Sequence, residues 1–259
     1  MSGILPILSD NQFSTVYNVL SLGFASMFAT TVYLYLSQGR VLERYRQAVV
    51  ISGTVTLIAL YHYWRIFDSF NAAHAAGAGM GHFNEAYRYV DWLLTVPLLL
   101  METIAVLNLP AGERKSLISR LVPASAAMIV LGYPGEISTD MGTKEIWGAL
   151  STIPFLYILY ILFVELTKSL EKQPTEVAAT VKRLRLLLIA TWGVYPISYL
   201  LPVIMGSDAN GANAFVGRQV GYTVADVLAK CLFGLTIYKI ARLKSAADDP
   251  AYAKMYDMH

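Results

Sequence analysis

The chain consists of long apolar segments separated by short polar ones. A helix needs about 20 apolar residues to cross a bilayer, and the sequence contains seven runs of about that length. They cover roughly residues 14–37, 48–70, 87–108, 117–134, 145–167, 183–205 and 218–240. The pattern therefore predicts an all-α membrane protein, with one seven-transmembrane-helix bundle over residues 1–244 and a flexible cytoplasmic tail over residues 245–259.

Composition and charge support this class and give an orientation. Hydrophobic residues make up 56% of the chain and charged residues 15%, against about 25% charged in soluble domains. Basic residues follow the first, third, fifth and seventh runs: Arg40, Arg44, Arg46, Arg114, Lys115, Arg120, Lys168, Lys172, Lys182, Arg183, Arg185, Lys239, Arg242 and Lys244. The other connections carry only Lys144 and Arg218. The positive-inside rule then places the N-terminus outside and the C-terminus in the cytoplasm. The net charge of +2 thus reflects topology and does not indicate a nucleic-acid partner.

The last run contains two charged residues, Asp226 and Lys230. Their four-residue spacing puts both on one face of a helix. Charges inside a membrane helix are costly and usually functional. A buried lysine can condense with an aldehyde to form a Schiff base, and Asp226 would then supply the counterion. The alternative is a structural ion pair between two helices.

The third run carries Arg88, Asp91, Thr95 and Glu102 close to one stripe of the helix. The two carboxylates lie about 16 Å apart along the helix axis. This separation favours a proton relay over a single binding site. A structural polar network is the alternative.

The histidines and the single cysteine indicate less about function than these charged residues do. His62 falls inside the second run, where a lone histidine more often packs than reacts, and its role depends on whether a carboxylate faces it. His74 and His82 lie in a Gly/Ala-rich connection and are interpreted as solvated, so no metal site is predicted. Cys231 is the only cysteine, which excludes an intrachain disulfide, and it is expected to pack inside its helix.

The sixth run carries an aromatic stripe made of Trp192, Tyr195 and Tyr199. Such a stripe is ordinarily core. If it faces a buried lysine, it could enclose a flat conjugated ligand. Pro196 in the same run is suited to a hinge.

Together these features resemble the microbial (type 1) rhodopsins. The resemblance rests on the seven runs, the Asp226/Lys230 pair and the string RYVDWLLTVPLLL at residues 88–100, and it is greatest to the proton-pumping proteorhodopsin and xanthorhodopsin branch. It implies that Lys230 carries all-trans-retinal as a protonated Schiff base. It also implies that Asp91 is the primary counterion and proton acceptor, Asp226 the second counterion, and Glu102 the proton donor, protonated at the start of the cycle.

The resemblance assigns roles to further residues. It makes Arg88 the arginine on the extracellular side of the counterions, Thr95 the threonine one turn from the acceptor, and His62 the acceptor's histidine partner. It implies a retinal pocket formed by Trp92, Leu99, Met128, Gly132, Ser151, Trp192, Tyr195, Pro196 and Tyr199. Leu99 resembles the residue of green-absorbing members.

Gly148 resembles a glycine that opens a window in xanthorhodopsin-like pumps. A carotenoid antenna of the xanthophyll type lies against that window, so the resemblance implies competence for such an antenna. The alternative is that Gly148 only permits close helix packing.

The implied function is a light-driven outward proton pump, an ion transporter and not an enzyme. Its implied setting is the bacterial inner membrane, as a homo-oligomer of three or five subunits among lipids.

A photosensory rhodopsin that signals through a partner protein is the main alternative, and Glu102 argues against it. A proton-coupled secondary transporter and a light-gated channel are further alternatives. The channel is disfavoured because the outer and inner halves of the predicted bundle are not unusually polar. Early proton release through a glutamate pair near the extracellular end of the last two helices, as in bacteriorhodopsin, is not expected, because Asp208 is the only acid within residues 205–222.

Overall fold

The computed structural model describes residues 3–77, 79–138, 140–205 and 211–256, so Asp208 lies outside the described residues. Helix α1 is Asp10–Ser37, α2 is Glu43–Ala75, α3 is Ala86–Leu107 and α4 is Ala111–Glu136. Helix α5 joins Met141–Tyr160, the π-helical Ile161–Glu165 and Leu166–Leu170. Helix α6 joins Thr175–Trp192 and Val194–Met205, and α7 joins Ala212–Asp226, the π-helical Val227–Leu232 and Phe233–Asp248. A 3₁₀ turn (Gln38–Arg40) follows α1, and a short helix α8 (Pro250–Met255) follows α7.

These helices form the predicted bundle. Within the described parts of the chain, six helices are long and apolar enough to cross a membrane. The remaining one, α6, is interrupted at Gly193 and completes a seven-helix bundle. Strands β1 (Gly3–Ile4) and β2 (His82–Phe83) pair antiparallel, and Gly3 is opposite Phe83. This pairing ties the start of the chain to the connection between α2 and α3.

The helices extend beyond the apolar runs to polar caps. Ser9 and Gln12 form a capping box at the start of α1. At the start of α5, the hydroxyl and the amide of Thr143 each donate to the Asp140 carboxylate at 2.7 Å, which lowers the pKa of Asp140. Asn108 ends α3 in the left-handed region, with φ of 51°.

Helices α3 and α7 lie in the interior of the bundle. In their most apolar stretches, 61% of α3 and 56% of α7 is buried, against 22% for α4 and for α5. The exposed apolar faces of α4 and α5 are those expected to contact lipid. Polar side chains on α3 and α7 are therefore held away from lipid, which is where a membrane protein tolerates them.

The C-terminal segment differs from the predicted flexible tail. Helix α7 continues to Asp248, and α8 packs on the bundle with Tyr252 only 8% exposed. The Tyr252 hydroxyl donates to the carbonyl oxygen of Arg40 at 2.6 Å, and the Ser245 hydroxyl accepts from the amide of Leu42 at 2.9 Å. These contacts with the α1–α2 connection are long-range, so local composition did not reveal them.

Candidate functional site

A half-open cavity lies between α3, α4, α5, α6 and α7 and ends at Lys230. About 830 Å³ of space free of atoms lies within it, including the part open to solvent at its mouth. The lining is mostly apolar and aromatic: Tyr89, Trp92, Val96, Leu99, Met128, Ile129, Gly132, Gly148, Ser151, Thr152, Phe155, Trp192, Tyr195, Pro196, Tyr199, Tyr222 and Lys230.

Every residue for which the sequence predicted a place in the pocket lies on this lining. Sequence reasoning missed six lining residues: Tyr89, Val96, Ile129, Thr152, Phe155 and Tyr222. On α3, Tyr89 and Val96 share the three- and four-residue spacing of Trp92 and Leu99, so helical periodicity could have identified them. The same kind of spacing relates Ile129 to Gly132, Thr152 to Gly148 and Phe155 to Ser151, so periodicity could have identified these residues as well.

Aromatic rings form the inner end of the cavity. The Trp92 ring centroid lies 5.0 Å from those of Tyr195 and Tyr222, and both contacts are edge-to-face. At Gly132, an added Cβ would lie 3.4 Å from the Ser151 hydroxyl oxygen and 3.5 Å from the Tyr89 ring. A larger residue at position 132 would therefore narrow the cavity.

The Lys230 ammonium lies between two carboxylates at the closed end of the cavity. Its Nζ is 2.5 Å from Asp91 Oδ2 and 2.8 Å from Asp226 Oδ1, and the residue is 1% exposed. Lys230 belongs to the π-helical part of α7. Such wide turns are frequent at functional sites, and the sequence did not predict this one.

The two carboxylates are bonded very unequally. In addition to Lys230, Asp226 accepts hydrogen bonds at 2.7–3.2 Å from Tyr195, Trp92 and Tyr63, and an Arg88 nitrogen lies 3.6 Å away. Among the described residues, the Asp91 carboxylate accepts a hydrogen bond only from Lys230, and its Oδ1 makes none. Hydrogen bonds to the charged form stabilise a carboxylate. Asp91 is therefore the carboxylate that accepts a proton from Nζ more readily.

His62 and Thr95 approach Asp91 without bonding to its carboxylate. His62 Nδ1 lies 3.9 Å from Asp91 Oδ1 but 2.9 Å from the carbonyl oxygen of Ile58. The longer distance exceeds hydrogen-bonding range, so Nδ1–H donates to Ile58. The Thr95 hydroxyl donates to the backbone carbonyl of Asp91 at 2.8 Å. The structure thus brings both residues beside the predicted acceptor, with their hydrogen bonds directed to the backbone.

Glu102 is fully buried, on the side of Lys230 that the positive-inside rule predicts to be cytoplasmic. The Ser52 hydroxyl donates to its Oε2 at 2.5 Å, while Oε1 has no hydrogen-bond partner among the described residues. None of the ion pairs found in the described residues includes Glu102. A buried carboxylate without a cation is costly, so we expect Glu102 to hold a proton.

The half of the bundle on the other side of Lys230 is more polar than the sequence suggested. Arg88 is 1% exposed and donates to Gln219 at 2.8 Å. Beyond Gln219 lie Glu85, Arg218 and Glu136, which sequence reasoning assigned to connections or did not consider. These residues come from α3, α4 and α7 or their ends, so only the tertiary fold brings them together.

Gly148 lies at the mouth of the cavity, where it is partly exposed. An added Cβ would approach the Tyr199 ring at 3.1 Å. A larger side chain at position 148 would therefore contact this ring and take up space at this part of the cavity.

The fold and this site agree with the comparison to known families. A sequence model described as bacteriorhodopsin-like protein matches residues 14–243. The chain belongs to the bacteriorhodopsin-like family. Its predicted place among the microbial rhodopsins of the proteorhodopsin and xanthorhodopsin branch is confirmed.

Individual relatives of this bacteriorhodopsin-like protein cover most of its length. The green-light absorbing proteorhodopsin of Gamma-proteobacterium EBAC31A08 is 29% identical over 225 residues, which are 86% of this chain and 84% of the relative. The crystal structure of xanthorhodopsin, described as a light-driven ion pump with dual chromophore, is 47% identical with a TM-score of 0.85. A thermophilic rhodopsin structure is 42% identical with a TM-score of 0.87. In both structural comparisons 94% of this chain and 99% of the other are covered.

Proposed function

We propose that this protein is a light-driven outward proton pump that holds retinal on Lys230. The observation that carries the proposal is the unequal bonding of the two carboxylates at Lys230 Nζ, with Asp226 held by several donors and Asp91 by one. A proton leaving Nζ has a clear acceptor, Asp91. The fully buried Glu102 on the opposite side can supply its replacement. This makes the chain a transporter and not an enzyme.

The residues that line the cavity fit retinal. A long conjugated aldehyde needs an apolar slot that ends at a lysine amine, and the cavity from Gly148 to Lys230 is such a slot. The conjugated part of retinal would be flanked by Trp92, Trp192 and Tyr195, because flat aromatic faces contact a conjugated ligand well. Once bound through Nζ, retinal supplies light absorption and a change of shape that turns the Nζ proton away from its resting partners.

The chain's own residues then determine where the proton goes. Asp91 accepts it at Oδ1 or Oδ2, and the Nζ charge that stabilised the carboxylate is lost at the same time. Asp226 keeps its donors and remains the anion paired with Arg88. Glu102 returns a proton to Nζ from the cytoplasmic side. One proton moves outward in each cycle.

Replacing Glu102 with glutamine tests the return path. The amide cannot deliver a proton, so recovery of the dark absorption after a flash should slow by about 100-fold, as for loss of a general acid. Flash spectroscopy of the purified pigment measures this rate, and the exposed Glu171→Gln serves as the control. An unchanged recovery in Glu102→Gln would assign the donor role to another group.

The identity of the transported ion can be tested directly. Purified protein reconstituted in liposomes should produce a light-dependent pH change in buffers free of sodium and chloride. A signal that requires either ion would contradict proton pumping. A coloured protein that gives no signal in any buffer would favour the photosensory alternative.

We also propose that the opening at Gly148 accepts a carotenoid antenna of the xanthophyll type. The opening and the similarity to a dual-chromophore pump support it. Gly148→Trp should fill the opening, so the carotenoid band should disappear from the action spectrum of transport while the retinal band stays. Gly112→Trp is the control, because an added Cβ at Gly112 meets nothing within 4 Å. Equal carotenoid contributions in both variants would contradict the proposal.

The resemblance further leads us to propose a bacterial inner-membrane location and a trimer or pentamer. The proteorhodopsin relative from a gamma-proteobacterium supports the location. Native mass spectrometry in detergent would give the subunit number. A monomer or dimer under gentle extraction would contradict the proposed assembly.

A further inference from the structure

A chain of polar contacts leads from the counterion away from Lys230. Arg88 Nη1 lies 3.6 Å from Asp226 Oδ2, and its Nη2 donates to Gln219 Oε1 at 2.8 Å. Gln219 Nε2 in turn donates to Glu85 Oε1 at 3.1 Å. Gln219 is fully buried. The side-chain amide of Gln219 therefore connects the charged site at Lys230 to a second group of ionisable side chains.

This second group, which we call the exit cluster, consists of Glu85, Arg218 and Glu136. Arg218 Nη2 donates to Glu85 Oε1 at 2.9 Å, and Arg218 Nη1 lies 3.4 Å from Glu136 Oε1. Lys144 is nearby, but its ammonium donates to the backbone carbonyl oxygens of Gly135 and Glu136 at 3.0 and 3.2 Å. Among the described residues, Arg218 is thus the cation within ion-pairing distance of both carboxylates.

Glu136 is the less stabilised of the two carboxylates. The hydroxyls of Tyr89 and Tyr222 donate to its Oε2, each at the long distance of 3.3 Å. Its Oε1 is buried and makes no hydrogen bond in the described structure. The two carboxylates share the Arg218 guanidinium, and the Lys144 ammonium is hydrogen-bonded to backbone carbonyl oxygens and not to either carboxylate. Glu136, with the weaker contacts, is therefore the carboxylate of the cluster that binds a proton more readily.

Exposure rises across the exit cluster. The Glu136 side chain is 1% exposed, whereas those of Glu85 and Arg218 are 11% and 17% exposed. By the charge distribution of the connections, this end of the bundle faces the outside. A proton on the cluster is therefore separated from Asp91 by Arg88 and Gln219 but borders the outer medium through Glu85.

We propose that the Glu136/Glu85 pair, joined through Arg218, is the last group to carry the pumped proton before it reaches the outer medium. This inference rests on the proposed outward pump. The O–H bond of protonated Asp91 breaks and one proton reaches the Glu136/Glu85 pair. The O–H bond formed there then breaks, the proton passes to water outside, and the carboxylate that remains pairs again with Arg218. Arg88 and Gln219 are positioning residues that keep their own protons.

The test is Glu136→Gln in retinal-loaded protein in nanodiscs, after a flash. A pH-sensitive dye reports protons that reach the medium, and infrared difference spectroscopy reports the carboxyl band of Asp91. We expect proton appearance and loss of the Asp91 band both to slow by about tenfold or more. The rise of the Asp91 band should keep its wild-type rate, because the first transfer does not involve the cluster. The exposed Glu145→Gln, at the same end of the bundle, is the control.

Glu85→Gln provides a second variant in case Glu136→Gln forms no pigment, and the same slowing is expected. Wild-type timing of both signals in the pigment-forming variants would overturn the inference while leaving the outward pump intact. If the wild-type protein itself cycles in light without releasing protons, the proposed function fails, and the inference fails with it. The two failures are therefore distinguishable.

Discussion

Replacing Lys230 with arginine or alanine is expected to give a protein that stays colourless when retinal is added. Neither side chain offers an amine that can condense with an aldehyde. Arginine retains a positive charge between Asp91 and Asp226, so this variant separates loss of the linkage from loss of the ion pairs. Alanine leaves two buried carboxylates without their shared cation, and removing one partner of a buried pair costs about 3–5 kcal/mol.

Absorption spectroscopy of purified variants after retinal addition makes this measurement. Lys239→Ala, on an exposed position of the same helix, should bind retinal as the wild type does. Circular dichroism confirms that Lys230→Arg is folded. A visible pigment in either Lys230 variant would contradict the assignment of Lys230 as the attachment site and would require another amine within reach of the cavity.

Replacing Asp91 with asparagine is expected to shift the absorption to the red and to stop net transport. The carboxylate lies 2.5 Å from Nζ and draws positive charge to that end of the bound chromophore. Without it, the charge spreads along the conjugated chain and the excitation energy falls. Transport should fall by at least about 100-fold, since an amide cannot accept the proton.

Spectra and light-induced pH changes measured on the same preparation test both expectations. Asp68→Asn, an exposed carboxylate on α2, is the matched control and should change neither property. Full transport by Asp91→Asn would remove Asp91 from the acceptor role. The better-bonded Asp226 would then have to accept the proton, against the hydrogen-bond pattern at the site.

The bundle was predictable because bilayer-length apolar runs leave little choice of structure. Helix boundaries were predicted less well, since hydropathy detects the lipid-contacting core of a helix and not its polar ends. Helix α1 begins at Asp10 behind a Ser9 cap, several residues before its apolar run. The packed α8 was missed because its anchor is the distant Arg40.

The candidate site was likewise predictable where helical spacing decides the arrangement and not where tertiary packing does. Helical spacing was enough to predict that Asp226 and Lys230 meet and that Asp91 and Glu102 lie at different depths on α3. Spacing could not reveal that the Thr95 hydroxyl bonds to the backbone, or that α7 widens into a π-helix at Lys230. The exit cluster was also out of reach, because Arg218 and Glu85 are 133 residues apart in the chain.

Outward proton pumping is tested most directly by the external pH of unbuffered cells that express the protein with retinal. Illumination should acidify the medium promptly, and a protonophore should abolish the change. No pH change despite a coloured, retinal-bound protein would contradict the account and favour a photosensor. Alkalinisation that the protonophore enhances would also contradict it, because it would mean that another ion is moved and protons follow passively.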